Sequence, residues 1–195
     1  MDEQAKIKGL IRDVTAALSR LDDAACQGLE AMAAGLASCL EAGGRVLVCG
    51  NGGSAADAQH IAGELAGRFR RDRKPLACIA LTTDTSVLTA VGNDYSFAEV
   101  FSRQVEALGR PGDLLWAMST SGRSPNVVAA ARAAREADIK VLAMTGAAGG
   151  PLADLADWCF RSPADRTDLI QQMHQLAYHI LCELLDERFG SEDES

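Results

Sequence analysis

Val46-Leu47-Val48-Cys49, preceded by Arg45, is an unbroken apolar run that ends on Gly50-Asn51-Gly52-Gly53-Ser54-Ala55 and passes straight into a helical pattern. A strand that is apolar at every position, rather than at every second one, is covered on both faces. That is the mark of a parallel sheet layered between helices. Four more short apolar runs repeat the plan: Leu76 to Leu81, Leu114 to Ser119, Lys140 to Thr145 and Trp158 to Arg161, with amphipathic segments between them. Five strands joined by helical crossovers predict an α/β, doubly wound fold, a five-stranded parallel sheet flanked by helices.

Working outward, two helical segments precede the first strand, at about Asp2 to Leu21 and Ala24 to Ala42. Apolar residues recur at three- and four-residue intervals in the first (Ile7, Leu10, Ile11, Val14, Leu18), and Gly43-Gly44 closes the second. A last long helix runs from about Arg166 to Phe189, and Ser191-Glu192-Asp193-Glu194-Ser195 reads as a frayed acidic tail. The chain is expected to be one domain over 1–195, with extra N-terminal helices at 1–43, sheet core and C-terminal helix at 44–190, and the tail at 191–195. Helices at both ends are best used against the sheet or a second subunit, so an oligomer is expected.

The 195 residues suffice for one domain with a real core. Nineteen Lys plus Arg against 27 Asp plus Glu leave a net charge of −8, which argues against a phosphate backbone or an anionic membrane as partner. Cys26, Cys39, Cys49, Cys78, Cys159 and Cys182 are scattered in apolar runs with no C-x-x-C pair, and read as buried thiols of a reducing compartment. The start, Met1-Asp2-Glu3-Gln4, has no basic segment leading into an apolar one, and no apolar stretch is long enough to span a bilayer. The cytoplasm is the expected location.

Ligands of an open parallel sheet gather beyond the carboxyl ends of its strands, so the loops there carry the chemistry. Two are unusual: Gly50 to Ala55 after the first strand, and Ser119-Thr120-Ser121-Gly122-Arg123-Ser124-Pro125 after the third, each entering a helix. Glycines admit close approach of an anion, and the first turn of a helix offers free N–H groups in a favourable dipole. Ser119, Thr120, Ser121 and Ser124 add neutral donors, a set suited to a phosphate monoester. Capping competes at two positions, because Ser124-Pro125 is a standard helix start and Ser54 with Asp57 matches a capping box. A dinucleotide fingerprint fits Gly50-x-Gly52-x-x-Ala55 formally. It lacks the acidic residue about 20 positions on, the nearest candidate being Asp84, and no Gly-Lys-Ser or Gly-Lys-Thr of a Walker loop occurs.

The helix after the first loop carries His60 and Glu64 one turn apart, and the last helix carries Gln171, Gln175 and His179 at four-residue steps, with His174 pointing elsewhere. Imidazole, carboxylate and amide oxygen can bind zinc or act as general acid and base; His60 and Glu64 can equally be a solvated pair. Gln171 and His179 are eight residues apart, about 12 Å of helix rise, too far for easy joint ligation of one ion. His174 reads as a core or interface histidine. Gly92-Asn93-Asp94, followed by Ser96 as a cap, reads either as a plain turn or as a holder of substrate hydroxyls.

Together, the Cys49 to Ser54 segment with His60 and Glu64, the Gly92-Asn93-Asp94 turn, the Ser119-Thr120-Ser121-Gly122 loop, and Gln171 with His179 resemble the sugar isomerase (SIS) domain, and more closely the sedoheptulose-7-phosphate (phosphoheptose) isomerases. The resemblance implies conversion of D-sedoheptulose 7-phosphate to D-glycero-D-manno-heptose 7-phosphate at the head of heptose synthesis for the bacterial envelope lipopolysaccharide. It implies a homotetramer with sites at subunit boundaries and Glu64 and His179 as the acid–base pair. It implies substrate contacts at Asn51, Gly52, Gly53, Ser54, Glu64, Asn93, Asp94, Ser119, Thr120, Ser121, Ser124 and Gln171, and zinc held by His60, Glu64, Gln171 and His179. A replication-initiator-associating relative of the same fold, a non-catalytic sugar-phosphate-binding regulator, lacks the acid and the histidine that stand here as Glu64 and His179. Ala55-Ala56 is less polar than in many isomerases, and Gln172 stands where a Glu is expected.

Overall fold

The computed structural model describes residues 2–190; Met1 and the expected acidic tail, Ser191 to Ser195, lie outside the described residues. Five strands, β1 (Val46–Cys49), β2 (Cys78–Ala80), β3 (Leu114–Ser119), β4 (Lys140–Gly146) and β5 (Trp158–Ser162), form one sheet in the order β2-β1-β3-β4-β5. Every pairing is parallel, with Val46 opposite both Cys78 and Leu114. β1 and β3 are buried at every residue, as their unbroken hydrophobicity requires. Their alternate side chains feed two cores: Val46, Val48, Leu114 and Trp116 on one face, Leu47, Cys49, Leu115 and Ala117 on the other.

The first face is covered by α1 (Glu3–Leu18), α2 (Asp23–Glu41), α3 (Gly53–Ala66) and α8 (Thr167–Phe189), the second by α4 (Thr85–Asp94), α5 (Ser102–Leu108), α6 (Pro125–Glu136) and α7 (Gly150–Leu155). The chain leaves β1 toward β2 on one side and returns to place β3 on the other. The strand order therefore reverses between β1 and β3, where an open α/β sheet has its crevice. The glycine loop and the hydroxyl loop are the two segments that border it.

The elements depart from expectation at the margins. Of Leu76 to Leu81 only Cys78–Ala80 pairs, and Ile79 is 37% exposed, because an edge strand has a neighbour on one side only. α1 ends at Leu18, and Asp22, whose side chain accepts from the Ala25 amide, starts α2. Gly92-Asn93-Asp94 is no loop: it is the last turn of α4, and Ser96 caps a short 3₁₀ turn at Phe97–Glu99. All six cysteines are free, but only Cys39, Cys49 and Cys182 are buried; Cys78 and Cys159 are half-buried. Cys26 is exposed, on the solvent side of α2. No helix of the described residues is long and apolar enough to cross a membrane.

Candidate active site

The glycine loop turns sharply because Gly52, at φ +55°, takes a conformation that suits glycine, and it starts α3 with no side-chain cap. The Ser54–Asp57 capping box is therefore not formed. Ser54 is buried instead, and Asp57 faces Tyr178 of α8. The bare Gly53 leaves room for Gln171: a Cβ there would lie 2.6 Å from its Nε2 and push the amide aside. Gln171 thus rests on the first turn of α3.

Across the crevice, Ser124 does begin α6 with Pro125 behind it, but its hydroxyl does not cap the helix. It meets the buried Ser119 hydroxyl at 2.9 Å, and Ser119 and Ser121 hydroxyls lie 3.4 Å apart. Two helix starts without side-chain caps and a chain of neutral hydroxyls border the same crevice, a cradle matched to an anion with several oxygens. The loops are tied by a residue that sequence reasoning missed. Asn126, 2% exposed, exchanges two amide hydrogen bonds with Asn51, both 2.8 Å. Its only advance signal was an amide in the first turn of a helix predicted to border the crevice.

A second cluster lies further along α3 and α8. One ring or carboxylate atom each from His60, Glu64 and His179 lies within 4.8 Å of the others. His60 Nε2 and Glu64 Oε1 are 2.8 Å apart, and the other ring nitrogen, Nδ1, is 2.9 Å from the Tyr178 hydroxyl. Tyr178, also missed from sequence, is fully buried and sits 3.5 Å from Asp57. His179 packs edge-on against His60 and stacks on Phe69, ring centroids 5.6 Å apart at 18°. Burial, with help from nearby His60 and Arg70 and against Glu64, holds the His179 imidazole below its ordinary pKa and so favours its neutral form.

Gln171 places its amide at Gly53, seven residues and about 10 Å of helix rise before His60 on the same helix. Asn93 and Asp94 stand on the opposite layer, exposed and hydrogen-bonded to each other at 2.8 Å. Asp84 accepts from the Val87 amide as the cap of α4, which gives it a structural task and leaves the dinucleotide alternative without its acid. His174 is a core residue: Nε2 donates to the Thr145 carbonyl at 3.0 Å, and burial lowers its pKa to about 4.

Residues 10–146 match the family described as the SIS domain. A phosphoheptose isomerase of Rhodospirillum rubrum is 55% identical over 173 residues, covering 88% of this chain and 91% of its own. Among solved structures, the phosphoheptose isomerase of Neisseria gonorrhoeae superposes with a TM-score of 0.90 at 43% identity, over 95% of this chain and 100% of its own. That of Francisella tularensis gives 0.92 at 39% identity, over 96% and 100%.

Proposed function

The chain belongs to the SIS-domain family, among its phosphoheptose isomerases, and from that membership we propose that it is an aldose–ketose isomerase converting D-sedoheptulose 7-phosphate to D-glycero-D-manno-heptose 7-phosphate. The observation that carries the chemistry is the convergence of Glu64 and His179 from α3 and α8, in a fold whose crevice is bordered by a neutral cradle of hydroxyls. The regulator alternative is disfavoured, since both residues whose loss would silence the site are present.

In this reading the hydroxyls of Ser119, Thr120, Ser121 and Ser124, with Asn51, Gly52, Gly53 and Ser54, take the phosphate and its neighbouring oxygens. Asn93, Asp94 and Gln171 take sugar hydroxyls. Glu64 removes the proton from C1 of the open-chain ketose, the carbonyl at C2 becomes an enediolate oxygen, and the proton is returned at C2. His179, whose surroundings favour the neutral imidazole, moves the hydroxyl proton from O1 to O2 through a ring nitrogen that no metal holds at that step. Each such transfer contributes roughly 10²–10⁴ in rate, and phosphate binding energy spent on positioning contributes the remainder.

Two nitrogens and a carboxylate converging within 4.8 Å form a donor set that fits zinc, with His60, Glu64 and His179 as ligands and the Gln171 amide as the further donor this reading adds. Bound there, zinc would supply charge stabilisation to a substrate oxygen.

A homotetramer with shared sites is supported by two features. Ile7, Leu10 and Ile11 of α1 are 55%, 45% and 60% exposed, an apolar face with no cover in one chain. Along α3, Glu64 lies about 16 Å from Gly53 by helix rise, a separation that favours a cradle and an acid–base pair contributed by different chains. Free cysteines are consistent with the cytoplasm, and the product fits a precursor of lipopolysaccharide heptose. We also read the chain as one domain, since its five strands share one sheet.

Incubation with sedoheptulose 7-phosphate followed by chromatography tests the proposal. New heptose phosphate must appear with the native chain and vanish in Glu64→Gln and His179→Ala; no conversion by the native chain at any zinc loading defeats it.

A further inference from the structure

The segment joining α3 to β2, residues 67–77, touches both members of the acid–base pair. Phe69 lays its ring on the His179 imidazole, nearly parallel. Four residues on, the Arg73 guanidinium donates to the backbone carbonyl of Glu64 at 2.7 Å and to that of Leu65 at 2.9 Å, filling the acceptors left open at the end of α3.

One carboxylate holds this segment in place. Asp186, seven residues past His179 on α8 and so on nearly the same face, accepts the Arg70 and Arg71 amides on Oδ2, at 2.6 and 2.9 Å, and Arg73 Nε on Oδ1, at 2.6 Å. Neither the Asp186 nor the Arg73 side chain has any exposure. Burial alone would raise the Asp186 carboxyl, but the two amides and the guanidinium outweigh it and keep it ionised. Outside this buried pair, Arg70 meets Glu183 at 2.9 Å and Arg71 meets Glu187 at 3.9 Å near the surface.

A buried charge pair is a poor device for stability alone, because desolvation cancels much of its attraction; what it offers is a fixed geometry. Here the fixed geometry runs from the helix of His179, through Asp186 and Arg73, to the backbone of Glu64. We propose that Asp186 and Arg73 are positioning residues for the isomerisation, setting Glu64 against His179, with Phe69 on the same segment fixing the plane of the imidazole. The inference rests on the reading of Glu64 and His179 as the acid–base pair.

The test compares full-length Arg73→Lys and Phe69→Leu with the native chain and with Arg188→Ala, a control whose guanidinium pairs with Glu41 at 2.7 Å on the outside of α8. Lysine can keep the charge contact with Asp186 but cannot reach both helix carbonyls, and leucine keeps the apolar cover without the stack. Assays run well below each variant's Tm, with the fold verified by circular dichroism. Arg73→Lys and Phe69→Leu are expected to lose about 10- to 100-fold in kcat with KM held within about twofold, while Arg188→Ala keeps both. Native kcat in Arg73→Lys and Phe69→Leu, with only Tm reduced, overturns the proposal. Glu64→Gln and His179→Ala separate the two failures: if they still turn over, the acid–base reading falls and this inference with it. If they are inactive while Arg73→Lys is native in kcat, only the positioning role falls.

Discussion

His60 is held at both ring nitrogens, and that sets what it can do. With Nε2–H donating to Glu64, the Tyr178 hydroxyl donates to Nδ1; with Nε2 turned to a metal, Nδ1–H donates to the Tyr178 oxygen and the phenol proton faces Asp57. One hydroxyl serves both arrangements. Tyr178→Phe removes it from each, and outer partners of this kind are worth about 10- to 100-fold in metal affinity. Zinc affinity measured by chelator competition should fall by that factor, and a value within twofold of native would strip Tyr178 of the role. None of this was legible in the sequence, where Tyr178 and His60 are 118 positions apart and the tyrosine belongs to an apolar stripe. His60, Glu64 and His179 stood out in the sequence as members of polar stripes at four-residue steps, while the acid–base roles of Glu64 and His179 came from the family resemblance alone. His174 gives a second prediction. Its folded pKa of about 4 lies below the ordinary 6.5, so the unfolded chain binds the extra proton first. Stability is full above about pH 6.5 and is lost as pH falls toward 4, by about 3 kcal/mol in all. Urea midpoints between pH 7 and 4 should show that slope in the native chain and a flatter one in His174→Met.

At the scale of elements, the crevice is a joint between two loops. The strands that lead into it were readable as apolar runs, since burial on both faces leaves no room for polar alternation. How the loops are joined was not, because the pair Asn51 and Asn126 spans 75 positions and each residue alone looks like an ordinary turn or first-turn amide. Serine caps misled in the same way. Ser124 stands where a cap belongs, yet its hydroxyl is spent on Ser119, 2.9 Å away, because the crevice offers a closer partner than the helix amides. Asn126→Ala leaves the Asn51 amide without its partner at the crevice. A loss of about 1–3 kcal/mol of stability is expected, together with a rise in KM for the phosphorylated substrate, measured by denaturant unfolding and initial rates. Unchanged KM would mean that the cradle keeps its shape without the tie. Asn93 and Asp94 show the opposite limit: a Gly-Asn-Asp string has the composition of a turn, but the helix runs through it because Val91 is anchored in the core beneath.

For the whole molecule the question is what covers α1. Its apolar periodicity predicted a packed helix, yet only Ala17 is buried in one chain while Ile7 and Ile11 stand more than half exposed. Covering each such side chain is worth about 1.5–3 kcal/mol, so a shared face contributed by several chains suffices to hold an assembly. The opposite expectation, that α1 merely shields its own sheet, would have put these residues in the core with Leu29 and Leu36 of α2. Ile7→Lys with Ile11→Lys places like charges on that face in every copy and should yield monomers by light scattering, with the fold retained because neither residue supports the core. If cradle and acid–base pair are drawn from different chains, the monomer loses turnover by several orders of magnitude although Glu64 and His179 remain together within it. Mixing an inactive Glu64→Gln chain with an inactive Ser119→Ala, Ser121→Ala chain should then restore part of the activity, since some sites in the mixed assembly receive two intact halves. A monomer with native kcat, or mixed chains that stay silent, would place the whole reaction within one subunit, with the Glu64 side chain reaching back along α3 toward the cradle to meet the substrate.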